Sequence, residues 1–222
     1  CLGRVNIDYD GYRRARKTTV ILIKIHSNNM VSKNTAIQNR LGQNTTNMIF
    51  YEDSFAKTAF FTKEVSNWET PIFYFDFDLQ YTGFVRAGII SPPKNLTLLY
   101  PENGSLREDL KSVIEKISKK RSLVIIDSFN GFFNHLEGEK DLGRLVNSFL
   151  MLLVSSGKHT KSTIIVGSLS KLNDENKWIL YNTGRRVIDN EHFTKIQLIS
   201  SENSILTKVL NSDNSSHSDL IL

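Results

Sequence analysis

Short apolar runs rich in β-branched and aromatic residues alternate along this chain with longer amphipathic segments. Such runs predict β-strands, and continuous rather than alternating apolar stretches are typical of strands buried on both faces of a parallel sheet. The five strands expected on this basis are Asn47–Glu52, Pro71–Asp78, Leu96–Tyr100, Ser122–Ser128 and Ser162–Gly167.

The segments between these strands carry apolar residues at helical spacing. A helix is predicted over Lys57–Trp68, and another over Ser105–Lys120, which begins with Ser105 and Glu108 at the spacing of a capping box. A third helix, Leu142–Ser155, is apolar enough to be largely buried. Alternating strands and helices predict βαβ units and an α/β fold of three layers, with helices on both faces of a mostly parallel sheet.

The pattern changes after Gly167, where short β-branched runs are joined by polar turns. Lys177–Asn182, Phe193–Ser200 and Ile205–Leu210 predict antiparallel strands added to one edge of the sheet. The polar residues 211–222 predict a frayed tail. One domain spanning residues 30–210 is therefore expected.

Composition and charge narrow the class of protein. The 222 residues are 40% hydrophobic and 23% charged, which excludes a disordered chain, and the single cysteine, Cys1, excludes a disulfide framework and a cysteine-based zinc site. No apolar run approaches the ~20 residues of a membrane span, so a cytoplasmic protein is expected.

The net charge of +5 is concentrated in the N-terminal extension, residues 1–29. Six Lys/Arg against two Asp give this segment +4, and 22 against 21 leave the remainder at +1. A near-neutral body argues against a nucleic-acid partner, because nucleic-acid binding needs a basic face. Residues 1–29 are either an added strand, centred on Thr18–Ile25, or an extension upstream of a natural start at Met30.

The junction between the first strand and its helix, YEDSFAKT, matches part of the phosphate-binding template G-x-x-x-x-G-K-[ST]. Lys57 and Thr58 hold the positions that neutralise the phosphates and ligate Mg²⁺. Tyr51 and Ala56 replace the two glycines that let backbone N–H groups wrap the phosphates. The candidate nucleotide-binding residues are Ser54, Ala56, Lys57 and Thr58.

Two later strands end in carboxylates. Asp127 follows the apolar run LVII, the Walker B pattern in which Asp orients the shell of Mg²⁺, although many parallel strands end in an Asp that caps a loop. Thr58 and Asp127 are accordingly the candidate metal ligands. Asp78 ends the second predicted strand.

This order of half-motifs, over residues 45–210, resembles the RecA-like P-loop ATPase fold, particularly its KaiC and RadA branch. The resemblance implies that Asp78 would polarise the attacking water and that Ser168 would act as a sensor. It also implies that Arg185 and Arg186 would reach a neighbouring subunit's nucleotide. Mg-ATP and a homo- or hetero-oligomer of RecA-like subunits are the implied cofactor and partner.

The departures at Tyr51, Glu52 and Ala56 resemble those of degenerate Walker A motifs in non-catalytic relatives. We therefore predict weak or absent Mg-ATP binding, an assembling or regulatory subunit, and little effect of Lys57→Ala on stability. The alternative is an active, slow ATPase with nucleotide-controlled oligomerisation, in DNA recombination or signalling. The aromatic residues after Asp127, Phe129, Phe132 and Phe133, form either core packing or an assembly surface.

Overall fold

The computed structural model describes residues 31–101, 104–175, 177–181, 193–201, 204–210 and 216–221, so the N-terminal extension lies outside the described residues. Six helices are described: α1 Val31–Gln43, α2 Ser54–Asn67, α3 Gln80–Arg86, α4 Leu106–Ile117, α5 Phe129–His135 and α6 Leu142–Lys158. The described strands are β1 Thr46–Tyr51, β2 Ile72–Phe75, β3 Leu96–Leu99, β4 Leu123–Ile126, β5 Thr163–Leu172, β6 Trp178–Leu180, β7 Thr194–Ser201, β8 Ser204–Leu210 and β9 Ser216–Ile221.

These strands form one sheet in the order β3-β2-β4-β5-β1-β7-β8-β9, with β6 paired to β5. The pairs from β3 through to β7 are parallel, and β8 and β9 add to the edge in antiparallel fashion. The predicted mostly parallel sheet with antiparallel edge strands is confirmed. β2, β4, β5 and β1 lie side by side at the centre of the sheet, and their continuous apolar runs are buried on both faces.

The later strands differ from the prediction in direction and partner. The predicted strand Phe193–Ser200 corresponds to β7, which lies parallel to β1 inside the sheet, with Met48 opposite Lys195. β6 pairs with the extension of β5, with Ser170 opposite Leu180. Residues 216–221, expected to fray, form the edge strand β9 along β8; an edge strand tolerates polar residues because one side of its backbone ladder faces solvent.

The helices also differ in detail from their sequence patterns. α2 begins at Ser54, three residues before its predicted start. The predicted capping box of α4 does not form, since the Ser105 hydroxyl donates to the Asp109 carboxylate. α6 is not buried all round, because Met151 is 72% exposed and Leu152 is 50% exposed.

Two hydrophobic clusters pack on the two faces of the sheet. One joins residues of α4, α5 and α6 and includes Phe129 and Phe132, which confirms core packing for these rings, with Phe133 partly buried against them. The other joins residues of α1, α2 and α3. None of the described helices is long and apolar enough to cross a bilayer. The helices leave the carboxyl ends of β1, β2 and β4 at a common edge, where parallel α/β sheets place their binding sites.

Candidate functional site

The side chain of Lys57 lies buried at this carboxyl edge, in the second turn of α2. It is 0% exposed, and its ammonium donates hydrogen bonds to the carboxylate of Asp78 and, at 3.1 Å, to Oδ2 of Asp127. The ammonium also lies 5.7 Å from the centre of the Tyr51 ring. Lys57, Asp78 and Asp127, which the sequence placed in one site, therefore come together.

Asp127 is held firmly by its surroundings. Its Oδ1 accepts the Phe77 N–H at 2.9 Å, and its carbonyl accepts the Tyr51 hydroxyl at 3.4 Å. The opposite residue on β5 is Gly167, where an added Cβ would lie 2.3 Å from the same carbonyl oxygen. Glycine is required here by close backbone approach, so the end of β4 is packed directly against β5.

Asp76 completes a group that we call the Lys57 cluster: Lys57, Asp76, Asp78 and Asp127. Asp76 was not among the predicted site residues, because the second strand was expected to continue to Asp78, whereas β2 ends at Phe75. The available signal was the end of the apolar run IFYF immediately before Asp76. Carboxylate oxygens of the three Asp lie within 4.8 Å of one another, a donor set that suits a divalent cation.

Asp76 is fully buried, and one of its two carboxylate oxygens accepts a hydrogen bond. Its Oδ2 accepts the Thr82 N–H at 2.6 Å, while its Oδ1 has no hydrogen-bond partner among the described residues. The Lys57 cluster thus sets one ammonium against three carboxyl groups. An excess of buried negative charge favours uptake of a proton or a cation.

The pKa values of Lys57, Asp127 and Asp78 are shifted from their ordinary values in different directions. Burial lowers the pKa of Lys57, but the carboxylates of Asp127 and Asp78 outweigh it and the pKa lies above its ordinary value. Burial raises the pKa of Asp127 well above its usual range, against the opposing charge of Lys57. Burial also raises the pKa of Asp78, which is one-third exposed, but Lys57 and hydrogen bonds bring it below its ordinary value. Asp78 is therefore the more acidic of the two carboxyl groups that contact Lys57.

The turn between β1 and α2 consists of two residues, Glu52 and Asp53. Asp53 caps the helix: its side chain accepts the Phe55 N–H at 2.8 Å, and its carbonyl accepts the Lys57 N–H at 3.1 Å. The Phe55 N–H, one of the donors that a helix N-terminus leaves free, is therefore already used within the chain.

The remaining nucleotide-site candidates lie in this first part of α2. The single hydroxyl proton of Thr58 faces two acceptors, the Ser54 carbonyl at 2.9 Å and the Gln80 Oε1 at 2.6 Å from the hydroxyl oxygen. Ala56 is buried. Gln80, at the start of α3, is a contact that no sequence motif indicated.

Ser168 does not join the Lys57 cluster. Ser168 is buried in β5, where its hydroxyl is hydrogen-bonded to the Ser170 hydroxyl at 2.6 Å. Arg185 and Arg186 lie outside the described residues.

This chain is similar to a known protein in structure but not in sequence. No family model matches the sequence, and no curated protein matches it significantly. A crystal structure of the RadB recombinase aligns with this chain at a TM-score of 0.54 and 11% sequence identity, over 80% of this chain and 86% of that chain. At this identity the likeness concerns the fold, and this chain has the RecA-like α/β fold.

Proposed function

We propose that this chain is a RecA-like subunit in which the place of the nucleotide phosphates is taken by internal contacts. In this proposal the protein binds Mg-ATP weakly or not at all, and serves as an assembling or regulatory subunit. The observation that carries the proposal is the burial of Lys57 between Asp78 and Asp127.

Burial of Lys57 gives its charge a structural role. A buried ammonium must be paired, because an isolated charge in a protein interior is strongly destabilising. Two carboxylates meet that need within the chain. Moving Lys57 towards a phosphate would leave Asp78 and Asp127 facing each other without their shared cation, which opposes nucleotide binding.

The helix terminus supports the same proposal. Anions bind helix N-termini through free backbone N–H groups, and in α2 the side chain of Asp53 competes for them. The carboxylates of Glu52 and Asp53 would also repel a triphosphate; one such group ~6 Å from a phosphate oxygen costs about 2–3 kcal/mol at an effective dielectric constant near 20.

The expected magnesium ligands fit Mg-ATP poorly as they are arranged. The Thr58 hydroxyl is engaged with Ser54 and Gln80, and both carboxylate oxygens of Asp127 are engaged with Lys57 and Phe77. Binding of Mg-ATP would require these contacts to break together.

An assembling role is supported by the apolar side chains on the same edge. Phe55 is 67% exposed and Leu79 is 57% exposed, and large exposed apolar residues in one region favour a protein partner. RecA-like domains commonly work as oligomers, so another RecA-like subunit is the proposed partner.

Calorimetric titration of Mg-ATP into the full chain tests the proposal. We expect no saturable heat up to ~1 mM nucleotide. The double variant Glu52→Gln/Asp53→Asn keeps a capping side chain and removes the repulsion, so any binding should appear there first. Glu137→Gln, an exposed carboxylate elsewhere, is the control. Micromolar binding by the unaltered chain would refute the proposal.

The alternative is a slow Mg-ATPase whose nucleotide controls its oligomeric state, in recombination or signalling. The observation that favours it is the convergence of Lys57, Asp78 and Asp127 at the carboxyl edge of a RecA-like sheet. In that case ATP turnover would be measurable and Lys57→Ala would abolish it.

A further inference from the structure

Two helix-to-strand connections meet at the amino edge of the sheet, opposite the Lys57 cluster. α4 leads into β4 and α6 leads into β5, and these strands are parallel neighbours. The Thr160 hydroxyl donates to the Ile117 carbonyl at 2.7 Å, and the Thr163 N–H donates to the Ser122 carbonyl at 2.9 Å. The two connections therefore lie side by side on one surface.

Basic side chains are concentrated on this surface. Segments 116–122 and 155–163 contain no Asp or Glu. None of the exposed basic residues on them forms an ion pair with any part of the chain that the structure describes. We call this surface the basic edge; its members are Lys119, Lys120, Arg121, Lys158, His159 and Lys161.

The helix dipole explains the presence of only one of these six basic residues. Cations stabilise the C-terminal end of a helix, but the effect is confined to its last turn. Lys158 meets that condition, whereas the other five follow the helix ends at Ile117 and Lys158. Lys161 has a left-handed φ of 56°, in a closing turn where glycine is the usual residue. The chain thus keeps a cation at a strained position.

We propose that the basic edge binds the phosphodiester backbone of a nucleic acid duplex without reading its base sequence. Duplex DNA carries one negative charge per ~1.7 Å of its axis, so it attracts a group of exposed cations that have no salt bridge to any described residue. No aromatic side chain is among the large hydrophobic residues exposed at this edge, so base stacking is not expected. This surface is separate from the Lys57 cluster and goes beyond the proposed function.

The near-neutral charge of residues 30–222 does not contradict this assignment, because a net charge does not report where on the fold the charges lie. Three of the acidic residues, Asp76, Asp78 and Asp127, lie together at the carboxyl edge, away from the basic edge. The sequence-based expectation against nucleic acid rested on the total, and the arrangement of the charges supplies the basic face that it required.

Two other anionic partners fit less well. A membrane surface needs apolar anchors among the cations, and the exposed Met151 and Leu152 lie about 10 Å, or two helical turns, before Lys158 and His159. The carboxyl edge of a second copy has mixed charge; Glu139 there is already paired with Arg107 at 2.7 Å.

The test is a fluorescence anisotropy titration of a labelled ~20-base-pair DNA duplex with the full chain, at ~50 to ~200 mM salt. The edge variant is Lys119→Gln/Lys120→Gln/Arg121→Gln. The matched control is Lys140→Gln/Arg144→Gln/Lys171→Gln, which removes three exposed cations from the carboxyl edge. We expect the edge variant to lose at least ~10-fold in affinity and about 3 units of salt slope, and the control to stay within ~2-fold.

Lys161→Gly provides a variant whose folding is secure, because glycine relieves the left-handed backbone. It should lose about 1 unit of salt slope while its melting temperature is no lower than that of the wild type. Equal losses of duplex affinity in the two triple variants would show that binding depends on net charge and not on the basic edge, and would overturn the proposal. Absence of duplex binding, or binding to anionic phospholipid vesicles alone, would overturn it as well.

Discussion

At the scale of single residues, Glu64 is a buried carboxyl group with no salt bridge to any residue that the structure describes. It lies on the buried face of α2 and is 2% exposed, and its Oε2 has no hydrogen-bond partner among the described residues. Burial raises the pKa of Glu64 to about 7, with Lys63 opposing the shift. The folded state therefore binds this proton more tightly than the unfolded state does.

The sign of the pH dependence follows from this difference. Between the ordinary value of 4.5 and about 7, the folded chain retains a proton that the unfolded chain has lost, so stability falls as pH rises. The shift corresponds to about 3 kcal/mol. We predict that Glu64→Gln removes this loss, and that urea unfolding at pH 5 and pH 8 shows a ~2–3 kcal/mol smaller decrease than in the wild type. Glu115→Gln, at an exposed site, is the control, and parallel profiles of wild type and Glu64→Gln would contradict the prediction.

At the scale of elements, the contact between β4 and β5 fixes the end of the strand that carries Asp127. Gly167 permits this contact, since a Cβ there would lie 2.3 Å from the Asp127 carbonyl oxygen and 3.1 Å from the Phe61 ring. Backbone atoms cannot move aside as a flexible side chain can. The two strand ends would have to separate to admit a larger residue.

Gly167→Ala is therefore expected to destabilise the protein by ~3 kcal/mol or more, measured by thermal unfolding. Gly143→Ala is the matched control. Gly143 lies in the first turn of α6, with no atom within 4 Å of an added Cβ, so alanine there should leave stability unchanged or raise it by ~0.5–1 kcal/mol. Similar melting temperatures for the two variants would show that the close approach is not rigid.

The elements differ in how far their sequences determine them. Continuous apolar runs such as LVII in β4 predict buried parallel strands, because no other strand environment tolerates them on both faces. The direction of β7 depends on the path of the preceding chain, which a strand pattern does not contain. The Asp53 cap has a local signal, yet the helical pattern of the sequence predicted that this helix starts only at Lys57.

The sequence predicted part of the candidate site, because motif positions depend on the order of strands and helices. Lys57, Asp78 and Asp127 each follow a strand or begin a helix, so the topology brings them to one edge. Their mutual pairing, the contribution of Asp76 and the contact of Thr58 with Gln80 depend on side-chain geometry within a few ångströms. Motif spacing carries no information at that scale.

At the scale of the whole molecule, the proposed function predicts assembly that does not depend on nucleotide. Exposed Phe55 and Leu79 at the carboxyl edge would lie in the interface. Sedimentation of the full chain should show an oligomer of the same size with and without Mg-ATP, and Phe55→Ser/Leu79→Ser should shift it towards monomer. Met151→Ser/Leu152→Ser, the same change on exposed residues of α6, is the control. A monomer at all concentrations, or an oligomer that forms only with Mg-ATP, would contradict the prediction.

In the proposed function, Lys57 is a structural cation and not a phosphate ligand. Its burial reverses the expectation from sequence that Lys57→Ala changes stability little, because the variant would leave Asp78 and Asp127 unpaired. The direct test measures the free energy of unfolding of the wild type and Lys57→Ala, each with and without ~5 mM Mg-ATP. Lys111→Ala, at an exposed lysine, is the control.

We predict that Lys57→Ala lowers this free energy by ~3–5 kcal/mol, more than Lys111→Ala does, and that Mg-ATP changes none of the three values. Nucleotide at ~1,000 times its dissociation constant would raise the stability of a binding protein by about 4 kcal/mol. Such a rise in the wild type, lost in Lys57→Ala, would contradict the account and establish Lys57 as a nucleotide ligand.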